Sequence, residues 1–154
     1  MNSIKDIEVS GKKVLVRVDV NVPMDDFQNI TDDTRIREVL PTLRYVLDHD
    51  GILVICAHMG RPKGKRDEKY SLAPVAKRLG RYLEVDVKLA PDCVGSEVKE
   101  MVAALNPREV LLLENLRFHK EEQENDDSFA RELGALCDVR SEERRLGKEC
   151  ATGC

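Results

Sequence analysis

Arginines, histidines, carboxylates and amides gather where three apolar runs end. Val14-Leu15-Val16-Arg17-Val18 leads into Asp19-Val20-Asn21, Ile52-Leu53-Val54-Ile55-Cys56-Ala57 leads into His58-Met59-Gly60-Arg61, and Val110-Leu111-Leu112-Leu113 leads into Glu114-Asn115-Leu116-Arg117-Phe118-His119. If the runs are neighbouring parallel strands, their carboxyl ends share one sheet edge, where open α/β folds bind ligands. The planar guanidinium gives paired, charge-assisted hydrogen bonds to phosphate or carboxylate, so Arg35, Arg61 and Arg117 together suit one small anion. Singly, each is weak evidence, since a loop arginine is usually solvated.

Asp19 and Asn21 sit two apart on an extended segment, where they could share a substrate hydroxyl or open an Asx turn before Pro23. His58 could donate to the anion or be an ordinary hydrogen-bonded loop histidine. His119 has a weaker case beside Lys120-Glu121-Glu122. Arg35 and Arg37 flank Ile36 at a helix start, so only one can face the site. Lys63, Lys65 and Arg66 with Gly60 and Gly64 suggest a phosphate loop, but the G-x-x-x-x-G-K-[ST] spacing is absent and the segment reads as a mobile, solvated loop. No Ser-His-Asp arrangement or carboxylate pair at catalytic spacing stands out, and residue chemistry alone supports binding of a small anion.

Positioning such clusters requires alternating strands and helices. Strands are predicted at 13–18, 52–57, 85–89 and 110–113. Ile36, Val39, Leu40, Leu43, Val46 and Leu47 recur at helical spacing, with Pro41 either kinking that helix or lying near its start. A second helix follows Ser71, whose hydroxyl can cap it, with Pro74 in its first turn. Helices at 96–105 and 126–136 complete the pattern. Strand-helix alternation and continuous apolar strands imply a three-layer α/β fold: an open parallel sheet with helices on both faces.

The 154 residues suffice for one domain of ordinary size. A net charge of −4 and an aromatic content of 4% argue against nucleic-acid partners. No run approaches the ~20 apolar residues of a membrane span, and no signal peptide is evident, so a soluble, cytoplasmic protein is expected. Five cysteines without a C-x-x-C pair suit a reducing compartment. Zinc is not expected, because His58 and His119 lie far in sequence from any paired cysteines.

At these same clusters the chain resembles the N-terminal domain of the phosphoglycerate kinase family. The resemblance rests on Arg17-Val18-Asp19-Val20-Asn21-Val22-Pro23, Ile30-Thr31-Asp32-Asp33-Thr34-Arg35-Ile36, His58-Met59-Gly60-Arg61-Pro62-Lys63-Gly64, Tyr70-Ser71-Leu72-Ala73-Pro74-Val75-Ala76, Pro91-Asp92-Cys93-Val94-Gly95 and Leu112-Leu113-Glu114-Asn115-Leu116-Arg117-Phe118-His119, in that order. It implies phosphoryl transfer between 1,3-bisphosphoglycerate and ADP, giving 3-phosphoglycerate and ATP in glycolysis. This chain would supply the triose site: Asp19 and Asn21 binding the substrate hydroxyl, His58, Arg61 and Arg117 holding the 3-phosphate, Val20, Met59 and Gly60 as further substrate-binding residues, and Arg35 as a substrate-binding, catalytic cation nearest the transferring group. Mg2+ and ADP or ATP are implied with their sites in a second domain, outside this chain, so the fragment alone would be inactive. The complete parent would be a monomer.

The resemblance runs from about residue 5 to Val139, giving an incomplete triose-binding domain at 1–139. A further family strand and an Asn-Asp-Ala-Phe-Gly segment would come next. Arg140-Ser141-Glu142-Glu143-Arg144-Arg145-Leu146-Gly147-Lys148-Glu149-Cys150 resembles instead a translated sequencing-library adapter. Residues 140–154 are accordingly expected to be an artefactual tail, disordered or loosely helical, with a sheet edge left bare beside it. The competing readings are a non-catalytic module binding a small phosphorylated acid, and a structural domain with solvated arginines.

Overall fold

The computed structural model describes residues 8–20, 22–27, 29–60, 68–119, 127–144 and 147–152. The predicted apolar runs are strands β1 (Lys13–Asp19), β2 (Ile52–His58), β3 (Val87–Leu89) and β4 (Val110–Leu112). Between them lie helices α1 (Thr34–Asp48), α2 (Ala73–Leu83) and α3 (Ser96–Ala103), and α4 (Asp127–Gly134) follows β4. Two further strands, β5 (Val139–Arg144) and β6 (Gly147–Thr152), close the chain.

The sheet order is β3-β4-β2-β1-β5-β6, parallel throughout except for the antiparallel β5–β6 hairpin. Steps from β1 to β2 and β2 to β3 move toward one edge, and steps from β3 to β4 and β4 to β5 move back. Right-handed crossovers therefore put α1 and α2 on one face and α3 and α4 on the other. The core divides accordingly. Val14, Val16 and Val18 of β1 and Leu53, Ile55 and Ala57 of β2 pack with α1 and α2. Leu15 of β1 and Val54 and Cys56 of β2 pack with Val98 and Val102 of α3 and Phe129 and Leu133 of α4. Burial on both faces explains why these strands are apolar without alternation.

Helix α1 passes through Pro41, which lies on its exposed side while Ile36, Leu43 and Val46 are fully buried. Packing of that stripe compensates for the backbone bond Pro41 cannot make. The expected hydroxyl cap on α2 is absent, since Leu72 occupies the cap position. Ser71 Oγ accepts from Ala73 N–H (3.3 Å) and donates to Glu114 Oε2 (2.8 Å), and Leu72 N–H donates to Glu114 Oε1 (2.8 Å). A buried carboxylate just beyond β4 thus supports the helix entry together with the Ser71 hydroxyl.

The tail differs from the helical or structureless expectation. Asp138 accepts from Lys13 N–H through Oδ2 (3.0 Å) and donates its own N–H to Lys13 O (2.8 Å), while Val139 is buried opposite Val14. These contacts feed the chain alongside β1, and Arg140-Ser141-Glu142 continue in register with Leu15-Val16-Arg17. The edge expected to be bare is thus covered by β5, because unpaired peptide groups beside β1 gain hydrogen bonds from any adjacent extended segment. The fit is imperfect: Ser141 Oγ is buried and has no hydrogen-bond partner among the described residues.

Candidate functional site

Because β4, β2 and β1 are neighbours, their carboxyl ends meet at one edge, as the placement of the polar clusters requires. Asp19 and His58 are direct register partners at the ends of β1 and β2. Beyond Asp19 the backbone enters the core again at Val20, which is fully buried. The crossover direction reverses between neighbours β4 and β2: the chain leaving β2 covers one face through α2, and the chain leaving β4 covers the other through α4. In open sheets that reversal opens a crevice.

Arg35, in the first turn of α1, reaches back to Asp19: Nη1 donates to both carboxylate oxygens, at 3.0 and 2.8 Å. Both side chains remain 35% exposed, so water screens the pair. Arg37 points elsewhere, its Nε donating to Asp33 Oδ1 at 2.9 Å. Of the two arginines flanking Ile36, Arg35 faces the strand ends.

Asp33 anchors the start of α1. Besides Arg37 it accepts from Arg78 Nη1 (2.7 Å) and from the Tyr82 hydroxyl, both on α2. The hydrogen bond from Tyr82, followed by that from Arg78, holds the Asp33 carboxyl down at about 2. The same contact pushes the Tyr82 hydroxyl up.

On the other side of the site the polar groups are buried. Glu114 and Asn115 are 1% and 0% exposed, and Glu114 Oε1 also accepts from Asn115 N–H at 2.9 Å. Asn115 Oδ1 accepts from the N–H groups of Met59 (3.2 Å) and Arg117 (3.0 Å). Its Nδ2 donates to the carbonyls of Met59 (2.7 Å) and Tyr70 (2.9 Å). Arg117 Nη1 in turn donates to Gly60 O at 3.1 Å. Gly60 has φ +65°, and a Cβ there would collide with the Tyr70 ring. The residue after Met59 is therefore glycine for two reasons, a left-handed backbone and a close aromatic neighbour.

Asp19, Val20, Arg35, His58, Met59, Gly60 and Arg117 thus gather around three strand ends; Asn21, Arg61 and the basic segment 62–67 lie outside the described residues. Sequence reasoning grouped Glu114 and Asn115 with the strand end but gave them no role. Their signal was available: two polar residues directly after the fully buried run Val110–Leu113 must either leave the core or be fully hydrogen-bonded within it.

His119 does not join this group. Its Nε2 lies 2.5 Å from Asp92 Oδ1, which also accepts from Cys93 N–H at 2.7 Å, and its ring tilts against Phe129. Burial alone would raise the Asp92 carboxyl, but the bonds from His119 and Cys93 outweigh it and hold it below the usual range. Asp92, Cys93 and His119 bring possible metal-ligand atoms within 4.8 Å, so the sequence distance used to argue against zinc is not a spatial distance. Burial, and then the charge of Asp92, push the Cys93 thiol far up, however, so it stays protonated. A protonated thiol is a poor ligand, and the carboxylate already has its partners. The trio reads as a hydrogen-bonded cluster tying the β4 exit to the β3–α3 loop. Among the described residues no cluster of oxygen ligands fits Mg2+, which prefers octahedral oxygen coordination.

The family model for phosphoglycerate kinase matches residues 4–140. Phosphoglycerate kinase of Desulfotalea psychrophila is 64% identical over 139 residues, covering 90% of this chain and 36% of that protein. That of Aquifex aeolicus is 60% identical over 137 residues, covering 89% and 34%. Among solved structures, phosphoglycerate kinase from Pyrococcus horikoshii superposes with a TM-score of 0.81 at 32% identity, over 91% of this chain and 36% of that one. The enzyme from Coxiella burnetii gives 0.79 at 34% identity, over 90% and 34%. The chain thus spans about a third of the length of these relatives. The match ends at residue 140, one residue into β5, and the strand ends that carry the polar clusters all lie inside it. Conserved sequence over that whole range, with the same chain path, means that this chain belongs to the phosphoglycerate kinase family.

Proposed function

We propose that residues 1–139 form an incomplete triose-binding domain of a phosphoglycerate kinase, holding 3-phosphoglycerate or 1,3-bisphosphoglycerate for phosphoryl exchange with ADP and ATP. Asp19 and Asn21 accept and donate around the substrate hydroxyl. His58, Arg61 and Arg117 bind the 3-phosphate, with the Met59-Gly60 backbone beside it. Arg35 is the catalytic cation. Its bonds to Asp19 use Nη1 alone, so Nε and Nη2 can turn to a phosphoryl oxygen while Asp19 keeps the guanidinium in place. A cation there stabilises charge on the equatorial oxygens of a loose transition state.

The nucleotide and its Mg2+, which would neutralise phosphate charge, belong to a second domain outside these residues. Closure of the two domains would expel water and bring the reactants into line. This chain alone binds substrate and does not turn it over. The cytoplasm, where glycolytic intermediates are made and consumed, is its compartment.

The observation that carries this reading is the meeting of Asp19, Arg35, His58 and Arg117 at one edge through three neighbouring strands. Calorimetric titration of 3-phosphoglycerate into the chain tests it, with unphosphorylated glycerate as control. Arg117→Ala is expected to weaken binding about 10- to 100-fold, the loss of charge-assisted phosphate contacts. An unchanged affinity removes Arg117 from the site.

A further inference from the structure

We infer that Asn115 is a positioning residue for phosphate recognition, fixing Arg117 and the Met59-Gly60 loop against each other without touching the ligand. The inference rests on the reading of Arg117 as a phosphate ligand and extends it to a residue that no ligand can reach, since Asn115 is 0% exposed.

A primary amide has two donor hydrogens and two acceptor lone pairs. Asn115 uses all four, on Met59 N–H, Arg117 N–H, Met59 O and Tyr70 O. The two N–H partners demand oxygen on one side and the two carbonyls demand NH2 on the other, so the amide has one orientation. Its partners come from three separate segments that follow β2, precede α2 and follow β4. Each is a place where the backbone leaves regular pairing, and a buried peptide group there needs a substitute partner.

The consequence for Arg117 is geometric. Its guanidinium is held by Gly60 O, adjacent to Met59, while its own N–H is held by Asn115. One amide therefore sets both the root of the arginine and the residue next to the carbonyl that receives its tip. Glu114 secures the arrangement from behind, bonding the Asn115 N–H and the Ser71-Leu72 entry to α2. Asn115→Asp keeps the shape and the acceptors but turns an oxygen toward two carbonyls, so the bonds to Met59 O and Tyr70 O are lost.

The test is performed on the whole chain, labelled with 15N. In the wild type the Arg117 Nε–H signal is expected to be sharp and rigid on the nanosecond scale, and the Asn115 side-chain protons protected from exchange. Asn115→Asp is expected to make Arg117 mobile while amide signals from α3 stay in place, and to weaken 3-phosphoglycerate binding about tenfold, as for one lost charge-assisted bond. Asn115→Asp combined with Arg117→Ala should bind no worse than Arg117→Ala alone. Additive losses, or an Arg117 signal as rigid as in the wild type, overturn the inference. Should Asn115→Asp not fold, Asn115→Ser supplies the same comparison, and rapid exchange of the Asn115 side-chain protons in the wild type overturns the inference without any variant. Failure of the wild type to bind 3-phosphoglycerate overturns the substrate reading instead, and Arg117 mobility still decides the role of Asn115.

Discussion

The two sides of the site hold their arginines by opposite means. Around Arg117 the central organising groups are buried: Glu114, Asn115 and the peptides of Met59 and Leu72 have partners inside the protein, and only the outer contacts with Gly60 and Tyr70 are half-buried. Around Arg35 the holding group is Asp19, and both partners are a third exposed. A buried, fully bonded network is rigid and costly to disturb, whereas a screened surface pair is cheap to make and to break. Under the proposed function, the phosphate that stays on the substrate would sit on the rigid side, and the group that responds to charge appearing during transfer on the other.

Glu114→Ala attacks that contrast hardest. It leaves Ser71 Oγ and the N–H groups of Leu72 and Asn115 without their acceptor, and about 3 kcal/mol of stability should be lost, measured by urea unfolding. A loss below about 1 kcal/mol would mean that the buried side is no more rigid than the exposed one. Gly60→Ala should cost about 2 kcal/mol, from left-handed strain and the collision with Tyr70. Combining it with Tyr70→Ala should recover the collision part but not the strain, which separates the two causes. On the exposed side, Asp19→Asn should change stability by less than about 1 kcal/mol while freeing Arg35. A larger loss would show that the pair is structural.

A pH-dependent effect is expected at Asp33, which links the start of α1, and hence Arg35, to α2. Its folded pKa of about 2 lies below the 3.8 of the free carboxyl. A depressed pKa stabilises the folded state above the free value, and that contribution fades as pH falls through 3.8 toward 2. Wild type and Asp33→Asn should therefore differ in unfolding midpoint at pH 6, draw together below pH 4 and converge only below about pH 2. Parallel curves would mean that the Tyr82 and Arg78 contacts bind neutral and charged Asp33 alike.

The match between pattern and structure is uneven for physical reasons. Runs such as Ile52–Ala57 could be read because a strand buried on both faces must be apolar at every position. The tail, expected to be an artefact without regular structure or loosely helical, pairs with β1 instead because an open sheet edge outweighs the weak helical preference of Glu142, Glu143 and Arg144. The buried Ser141 hydroxyl, without a partner among the described residues, shows that this sequence covers the edge without being fitted to it. Zinc was judged by spacing along the chain, although β3 and β4 are neighbours and bring Cys93 to His119.

By itself the sequence determined the alternation of elements, the two-sided core, the family, and the polar clusters at the strand ends, since hydrophobic period and motif order are properties of the linear chain. Only the tertiary structure decided which groups bind each other: that Arg35 rather than Arg37 reaches Asp19, that Glu114 and not the Ser71 hydroxyl alone serves α2, and that Asn115 joins Met59, Tyr70 and Arg117. Those partners are distant along the chain. Hydrogen bonds are short-ranged and directional, so the choice among many possible polar partners is made only when the sheet order sets the strand ends side by side.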